Sequence, residues 1–346
     1  MFVTGCHRSG TSLITALLID LLQISESERG PQLEPKFENP LGFFETQRLT
    51  NANDELLSHI QCSWDSPPVL VPNWSASKMM DLLIRLRSRF SQYALSGKWI
   101  DKDPRLCLTY PAYIHILLKR VPIVAILRSP FEVATSLYAR NGFQLDVGLL
   151  LWYIYNHHLA FSLQEEDLLL SYESLLELKE SPSLSKNRNL NLINRFIESF
   201  DQQSPSDNSW ESAINKRIIP SLNRSEFSLS NLKEDEINSK LYETCMSSYK
   251  IIEESNFSIK VYQEVFSSLT KPILQSLQRV QGNNTFSFNT NGGNNFYNSS
   301  LHKNHELQEA KNKINSLEID LQATYDSTSW KITAPMRWLA EIIRSS

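Results

Sequence analysis

The chain opens with an apolar triplet, Phe2-Val3-Thr4, that runs through a glycine-containing turn straight into a helical pattern. The turn reads Gly5-Cys6-His7-Arg8-Ser9-Gly10-Thr11-Ser12. Between Thr11 and Leu22, the residues Leu13, Ile14, Leu17, Leu18, Leu21 and Leu22 follow i, i+3, i+4, i+7 spacing, which predicts a helix with one apolar face. Strand, turn and helix in so short a span open an α/β unit, and such units close on a parallel sheet.

Later segments fit that reading. Met79–Leu95 predicts a second amphipathic helix, Trp99–Lys102 a short strand ending in a turn at Asp103-Pro104, and Tyr110–Lys119 a further helix. Val121–Leu127 is apolar and rich in β-branched residues, as a strand covered on both faces requires. Ser129-Pro130-Phe131-Glu132 then supplies an N-cap, a proline at the first helical position and an acid in the first turn. Asp167–Ser171 reads as a later strand, followed by Tyr172-Glu173 and a helix. The fold class expected is a P-loop-like three-layer α/β domain with a central parallel sheet, followed by a helical or coiled-coil tail.

The expected domain occupies 1–270. Residues 271–303, dominated towards their end by Asn, Gly, Ser and Phe, read as a flexible linker. In 304–346, Leu307, Ala310, Ile314, Leu317 and Leu321 keep 3-4-3-4 spacing, enough for a short coiled coil. The aromatic, basic end Ser327–Leu339 reads as an interfacial segment, a docking peptide or a terminal helix packed on the domain. The tail thus offers self-association or peripheral membrane contact.

A net charge of −4 makes no case for nucleic acid, while leaving room for a local basic pocket. Cys6, Cys62, Cys107 and Cys245 follow no metal-binding spacing, so no metal is expected; reduced thiols or a pair of disulfides remain open. Met1–Gly5 lacks a basic n-region and a long apolar h-region, and the longest apolar runs are too short or too polar to span a bilayer. The expected location is cytoplasmic, with contact at the inner membrane as the variant the tail allows.

The loop has P-loop spacing, with four residues between Gly5 and Gly10. Glycines let the backbone approach an anion, and the N–H groups at the helix start point at it with the helix dipole behind them. A nucleoside triphosphatase needs Lys where Thr11 stands; here the cation is Arg8, inside the loop. A guanidinium with the hydroxyls of Ser9, Thr11 and Ser12 suits a phosphate or sulfate without Mg²⁺.

In this loop, and in Leu127-Arg128-Ser129-Pro130-Phe131-Glu132-Val133-Ala134-Thr135-Ser136, the chain resembles the PAPS-dependent sulfotransferase superfamily. The resemblance implies that Arg8, Ser9, Gly10, Thr11 and Ser12 hold the 5′-phosphosulfate of PAPS. It implies Arg128 and Ser136 as ligands of the 3′-phosphate; Arg128 would leave the carboxyl end of a strand, where open α/β sheets bind ligands.

Asn39–Thr46 is similar to the segment carrying a Glu-Thr motif in protein-tyrosine sulfotransferases and bacterial relatives, which implies Glu45 as general base. Other branches use a histidine, so the base is open between the two. His7 stands in the loop, while His59, His115, His157 and His158 lie on helical patterns and read as structural. Lys102-Asp103-Pro104-Arg105 resembles turns that place an ammonium near the oxygen bridging phosphate and sulfate, implying Lys102 in that role; Arg105 contacts substrate or braces Glu45. Ile218–Arg224 resembles a segment of bacterial members and implies Arg224 near the donor. The resemblance covers roughly 1–225.

The tail is similar to the ends of bacterial cell-surface glycan transferases, and on that analogy the acceptor is a carbohydrate hydroxyl or amine. The loops Pro31–Phe44 and Ser181–Asp207 are expected to line its pocket. Two other readings stand beside the enzyme: a P-loop kinase of small molecules, and a non-catalytic sulfotransferase-like scaffold in glycan assembly.

Overall fold

The computed structural model of this chain describes residues 1–25, 31–33, 42–91, 93, 99–179, 188–200, 203–219 and 237–282. Four strands, β1 (Phe2–Thr4), β2 (Asp101–Lys102), β3 (Ile123–Leu127) and β4 (Leu168–Ser171), form a sheet in the order β2-β1-β3-β4. All pairings are parallel: Val3 pairs with Lys102 and Val124, Thr4 with Ala125, and Leu127 with Ser171. With every strand running the same way, the residues that follow them (Gly5, Asp103, Arg128 and Tyr172) emerge along one edge.

Helices cover both faces. Successive residues of a strand point to opposite sides, so Val3 joins Ile14, Leu17 and Leu18 of α1 (Thr11–Leu22) in one core cluster. Phe2 looks the other way, its ring edge-on to Trp99, Tyr110 and Tyr113 at centroid distances of 5.1, 6.3 and 5.3 Å. β1 is only three residues long, yet Phe2, Val3 and Thr4 are wholly buried. Burial of this kind is worth about 1.5–3 kcal/mol per large apolar side chain, which exceeds any local strand propensity.

α2 (Gln47–His59) begins at Thr46, whose hydroxyl accepts from Leu49 N–H. α3 (Met80–Arg89), with a 3₁₀ turn at Ser77–Met79, occupies the first part of the helix expected over Met79–Leu95. α4 (Leu106–Leu117) starts four residues before its expected position at Tyr110, because Leu106 and Cys107 are themselves buried. Pro111 therefore lies inside this helix, where it lacks the N–H that would bond Cys107 C=O.

α5 (Pro130–Asn141) carries Pro130 at its first position as expected, but the Ser129 hydroxyl does not cap it. Ser129 N–H instead donates to Glu173 Oε1 at 3.0 Å. Every residue of α6 (Leu145–Ala160) is buried, including the polar Asn156, His157 and His158, which are hydrogen-bonded to backbone carbonyls. Its Gly148 faces Ala134 of α5, and a Cβ there would meet Ala134 Cα at 2.7 Å, so the glycine sets how closely the two helices cross.

α7 (Tyr172–Leu176) follows β4, with Ser171 as its cap. α8 (Arg188–Glu198) corrects the expectation of a pocket-lining loop over Ser181–Asp207: Leu190, Ile193, Phe196 and Ile197 follow 3-3-1 spacing and enter the main core. α9 (Asp207–Arg217) is capped by Ser206 and pinned to α1 by Arg217 Nε on Asp20 Oδ2 at 2.6 Å. α10 (Ser239–Glu254), α11 (Ile259–Val265) and α12 (Lys271–Gly282) complete the described chain. α12 falls within the stretch 271–303 read as linker. Ile273, Leu277 and Val280, at helical spacing, are buried, and that burial outweighs the polar composition that begins just beyond. The rest of that stretch and the tail 304–346 lie outside the described residues.

Candidate functional site

The turn between β1 and α1 has a strained backbone. Arg8 sits at φ 70° and Gly10 at φ 89°, in the left-handed region, and Gly10 provides no capping side chain for α1. Glycine at position 10 is doubly required: a Cβ would fall 2.2 Å from Cδ2 of Tyr172, which lies over the loop. The N-terminus of a twelve-residue helix thus faces the sheet edge with its dipole uncompensated by any acid in the first turn. Ser9 Oγ, in the middle of the loop, is buried without a hydrogen-bond partner.

Three residues predicted from two separate motifs meet here. Arg8 Nε donates to Ser136 Oγ at 2.8 Å, and Arg128 Nη1 donates to the Arg8 carbonyl at 3.0 Å. Arg128 is 7% exposed, stacks 4.4 Å from the Tyr172 ring centroid and pairs through Nη2 with Glu132 Oε2 at 2.8 Å. The carbonyl of Arg128 accepts from Trp152 Nε1 at 2.9 Å, which ties the strand end to α6. Glu173 joins three neighbours: its carboxylate accepts from Ser129 N–H, from Ser171 Oγ at 3.0 Å and from Tyr249 OH at 2.8 Å.

On the opposite flank of the loop, Lys102 leaves β2 and Glu45 precedes α2. Their side chains pair at 2.6 Å, with Lys102 2% and Glu45 10% exposed. Lys102 Nζ also donates to Phe43 O at 3.0 Å and to Ser12 Oγ at 3.3 Å, so the ammonium touches the helix start of the loop. Burial raises the Glu45 carboxyl above the usual carboxylate range; Lys102 opposes this and Asp103 adds to it. A carboxylate with raised proton affinity is suited to accept a proton near neutral pH.

Arg105 pairs with Asp103 at 3.1 Å and Asp54 at 2.9 Å, and Glu45 acts on it electrostatically. His7 packs among aromatic side chains, its ring 4.6 Å from Trp64 and 5.5 Å from Tyr155. Burial, then Arg105, Arg140, Lys102 and Arg8, hold its pKa well below the usual imidazole value, so it stays neutral. His157 and His158 bond the carbonyls of Phe266 and Pro68 at 2.6 and 2.8 Å, away from the loop.

Thr11 is buried in the first turn of α1, and Ser12 donates to Phe43 O at 3.2 Å. Arg224 and residues 34–41 of the expected acceptor loop lie outside the described residues. Sequence reasoning missed Thr46, Asp101, Glu132 and Glu173, which hold the named residues in place. Thr46 was legible as a hydroxyl just ahead of a helix, and Glu132 as an acid four residues beyond Arg128. All four cysteines are buried free thiols. Among the described residues there is no cluster of three or more His, Cys, Asp or Glu able to hold a metal, and no helix long and apolar enough to cross a membrane.

Fold and site together define an α/β protein whose β1–α1 turn lies at the carboxyl edge of a parallel sheet, with the buried cations Arg128 and Lys102 beside it. No protein-family model matches the sequence, and no curated protein matches it. Among solved structures, the chain is similar to the sulfotransferase domain of the olefin synthase of Synechococcus PCC 7002. The identity is 13%, over 72% of this chain and 93% of that one, with a TM-score of 0.41.

Proposed function

We propose that the protein is a sulfotransferase that moves the sulfuryl group of PAPS to a hydroxyl or amine. The observation that carries this reading is the contact chain Ser136–Arg8–Arg128, which joins the two motifs that resemble the halves of a PAPS clamp. The orphaned Ser9 hydroxyl and the uncapped start of α1 fit an anionic group in the loop. Arg8 and the loop hydroxyls hold the 5′-phosphosulfate, and Arg128 with Ser136 the 3′-phosphate.

In the reaction, the acceptor oxygen or nitrogen attacks sulfur while its proton passes to Glu45. The S–O bond to the 5′-phosphate breaks, and its electron pair stays on the departing phosphate oxygen, beside Lys102. Positioning and neutralisation of the leaving charge supply most of the acceleration in transfers of this kind. Lys102 exchanges its contact with Glu45 for the leaving oxygen, which frees the carboxylate to take the proton. The acceptor, on the resemblance of the tail, is a bacterial carbohydrate.

Calorimetry with PAP and with ATP·Mg, followed by incubation of radiolabelled PAPS with glycan extracts, tests the reading. PAP binding and labelled glycan are expected. Stabilisation by ATP·Mg in place of PAP makes the protein a kinase, and PAP binding without transfer of label makes it a scaffold.

A further inference from the structure

Glu45 and Lys102 belong to two segments that touch at a second point. Their chain neighbours Thr46 and Asp101 also meet: Thr46 Oγ1 donates to Asp101 Oδ2 at 2.6 Å, and Thr46 N–H reaches Oδ1 at 3.4 Å. Asp101 Oδ1 further accepts from Lys102 N–H at 2.9 Å, and Oδ2 accepts from Tyr93 OH. Asp101 and Lys102 are successive residues of one strand, so their side chains leave on opposite sides. The two segments are thus joined by two rungs, one ionic and one of hydrogen bonds to a carboxylate that is 1% exposed.

We propose that Asp101 is a positioning residue, which through Thr46 and the Lys102 backbone fixes the separation of Glu45 from Lys102. The inference rests on the sulfotransferase reading. The Glu45–Lys102 pair must open during the reaction, so it does not by itself hold the two segments in register; the Thr46–Asp101 rung takes no part in the chemistry and keeps them there. Thr46 binds at two places at once, since the hydroxyl that donates to Asp101 also accepts from Leu49 N–H at 3.3 Å and so starts α2 at the base. Burial raises the Asp101 carboxyl above its usual range, while Thr46, Tyr93 and the Lys102 N–H pull it back, as donors converging on one acceptor do. Tyr93 stacks on Trp99 at 4.1 Å and anchors the far side of the carboxylate.

Water serves as the acceptor in the test: release of sulfate from PAPS is followed in the full chain, with PAP affinity measured by calorimetry. Thr46→Val removes the donor at nearly constant volume, Thr46→Ser restores it, and Asp101→Asn weakens the acceptor. Loss of a group that orients a reacting residue costs about 10- to 100-fold, so Thr46→Val and Asp101→Asn are expected to slow sulfate release by that factor with PAP affinity unchanged. Thr46→Ser should return to near the wild-type rate, and the double variant Thr46→Val/Asp101→Asn should be slowed by less than the product of the two single effects, since the two residues share one contact. A Thr46→Val protein as fast as wild type overturns the proposal, as does additive slowing in the double variant. Should Asp101→Asn not fold, the Thr46 pair decides alone. Wild-type protein that fails to bind PAP, or that binds it and neither releases sulfate nor labels glycan, overturns the sulfotransferase reading itself.

Discussion

Arg8 Nε lies 2.8 Å from Ser136 Oγ, a hydrogen bond between residues 128 positions apart. It couples the first loop of the chain to the middle of α5, and Arg128 closes the link by donating to the Arg8 carbonyl. A ligand carrying anions at two ends would meet a single prearranged surface here, so the contributions of the three residues to binding should be separable by which anion is removed.

Arg128→Met should weaken PAP by about 10- to 100-fold, as loss of a charge-assisted contact worth ~1.5–3 kcal/mol implies. Adenosine 5′-phosphate, which lacks the 3′-phosphate, should bind wild type and variant alike in calorimetry. Equal losses for both nucleotides would remove Arg128 from the 3′ end.

Lys102→Met leaves Glu45 buried with its cation gone, and removing one member of a buried pair costs about 3–5 kcal/mol. Chemical denaturation should show that deficit at pH 8 and less of it at pH 5, because protonation neutralises a carboxyl whose pKa burial already raises. The double variant Glu45→Gln/Lys102→Met should regain most of the stability, having no uncompensated charge.

Gly10→Ala places a methyl against the Tyr172 ring on a backbone at φ 89°. The left-handed backbone costs ~1–2 kcal/mol and the overpacking a further ~1–3 kcal/mol, read as a lower melting temperature. Adding Tyr172→Ala should recover the packing part alone; full recovery would show that the backbone bears no strain.

His158 is buried and its pKa is lowered to about 3, mainly by desolvation, with His157 adding to the shift. A histidine depressed in the folded state gives stability that is full above the unfolded value of about 6.5 and declines as pH falls towards the folded one. Each such group contributes a slope of up to about 1.4 kcal/mol per pH unit. Glu45 and Asp101, raised by burial, act with the opposite sign at lower pH. The difference between wild type and His158→Gln, which keeps a donor for Pro68 O, isolates the histidine: the variant should show the shallower loss from pH 6.5 to 5.

Much of this was legible locally. Thr11–Leu22 is a helix with the bounds its leucine spacing predicts, and β3 and β4 fall inside the two segments read as strands. Arg8 in the first loop, and Arg128 with Ser136 after the third strand, were singled out as the two ends of one clamp on the family resemblance, and strand-to-helix turns of a parallel sheet share one edge. What escaped was burial imposed from afar. α8 looked like a polar loop, and its apolar residues gain meaning only when a sheet is there to cover. α12 looked like the start of a linker, and it is held by the helices beneath it. Asp101 seemed an ordinary neighbour of a lysine, since nothing near it in sequence names Thr46 or Tyr93 as its partners.

The amino-acid sequence by itself determined the α/β class, the glycine turn with its arginine and the missing P-loop lysine, because spacing, backbone freedom and side-chain chemistry act over a few residues. Only the tertiary structure decided that β2 lies beside β1, that Lys102 therefore reaches both Ser12 and Glu45, and that Tyr172 seals Gly10. Those relationships depend on which surfaces exclude water from which charges, a property of the assembled sheet that no local stretch of chain contains.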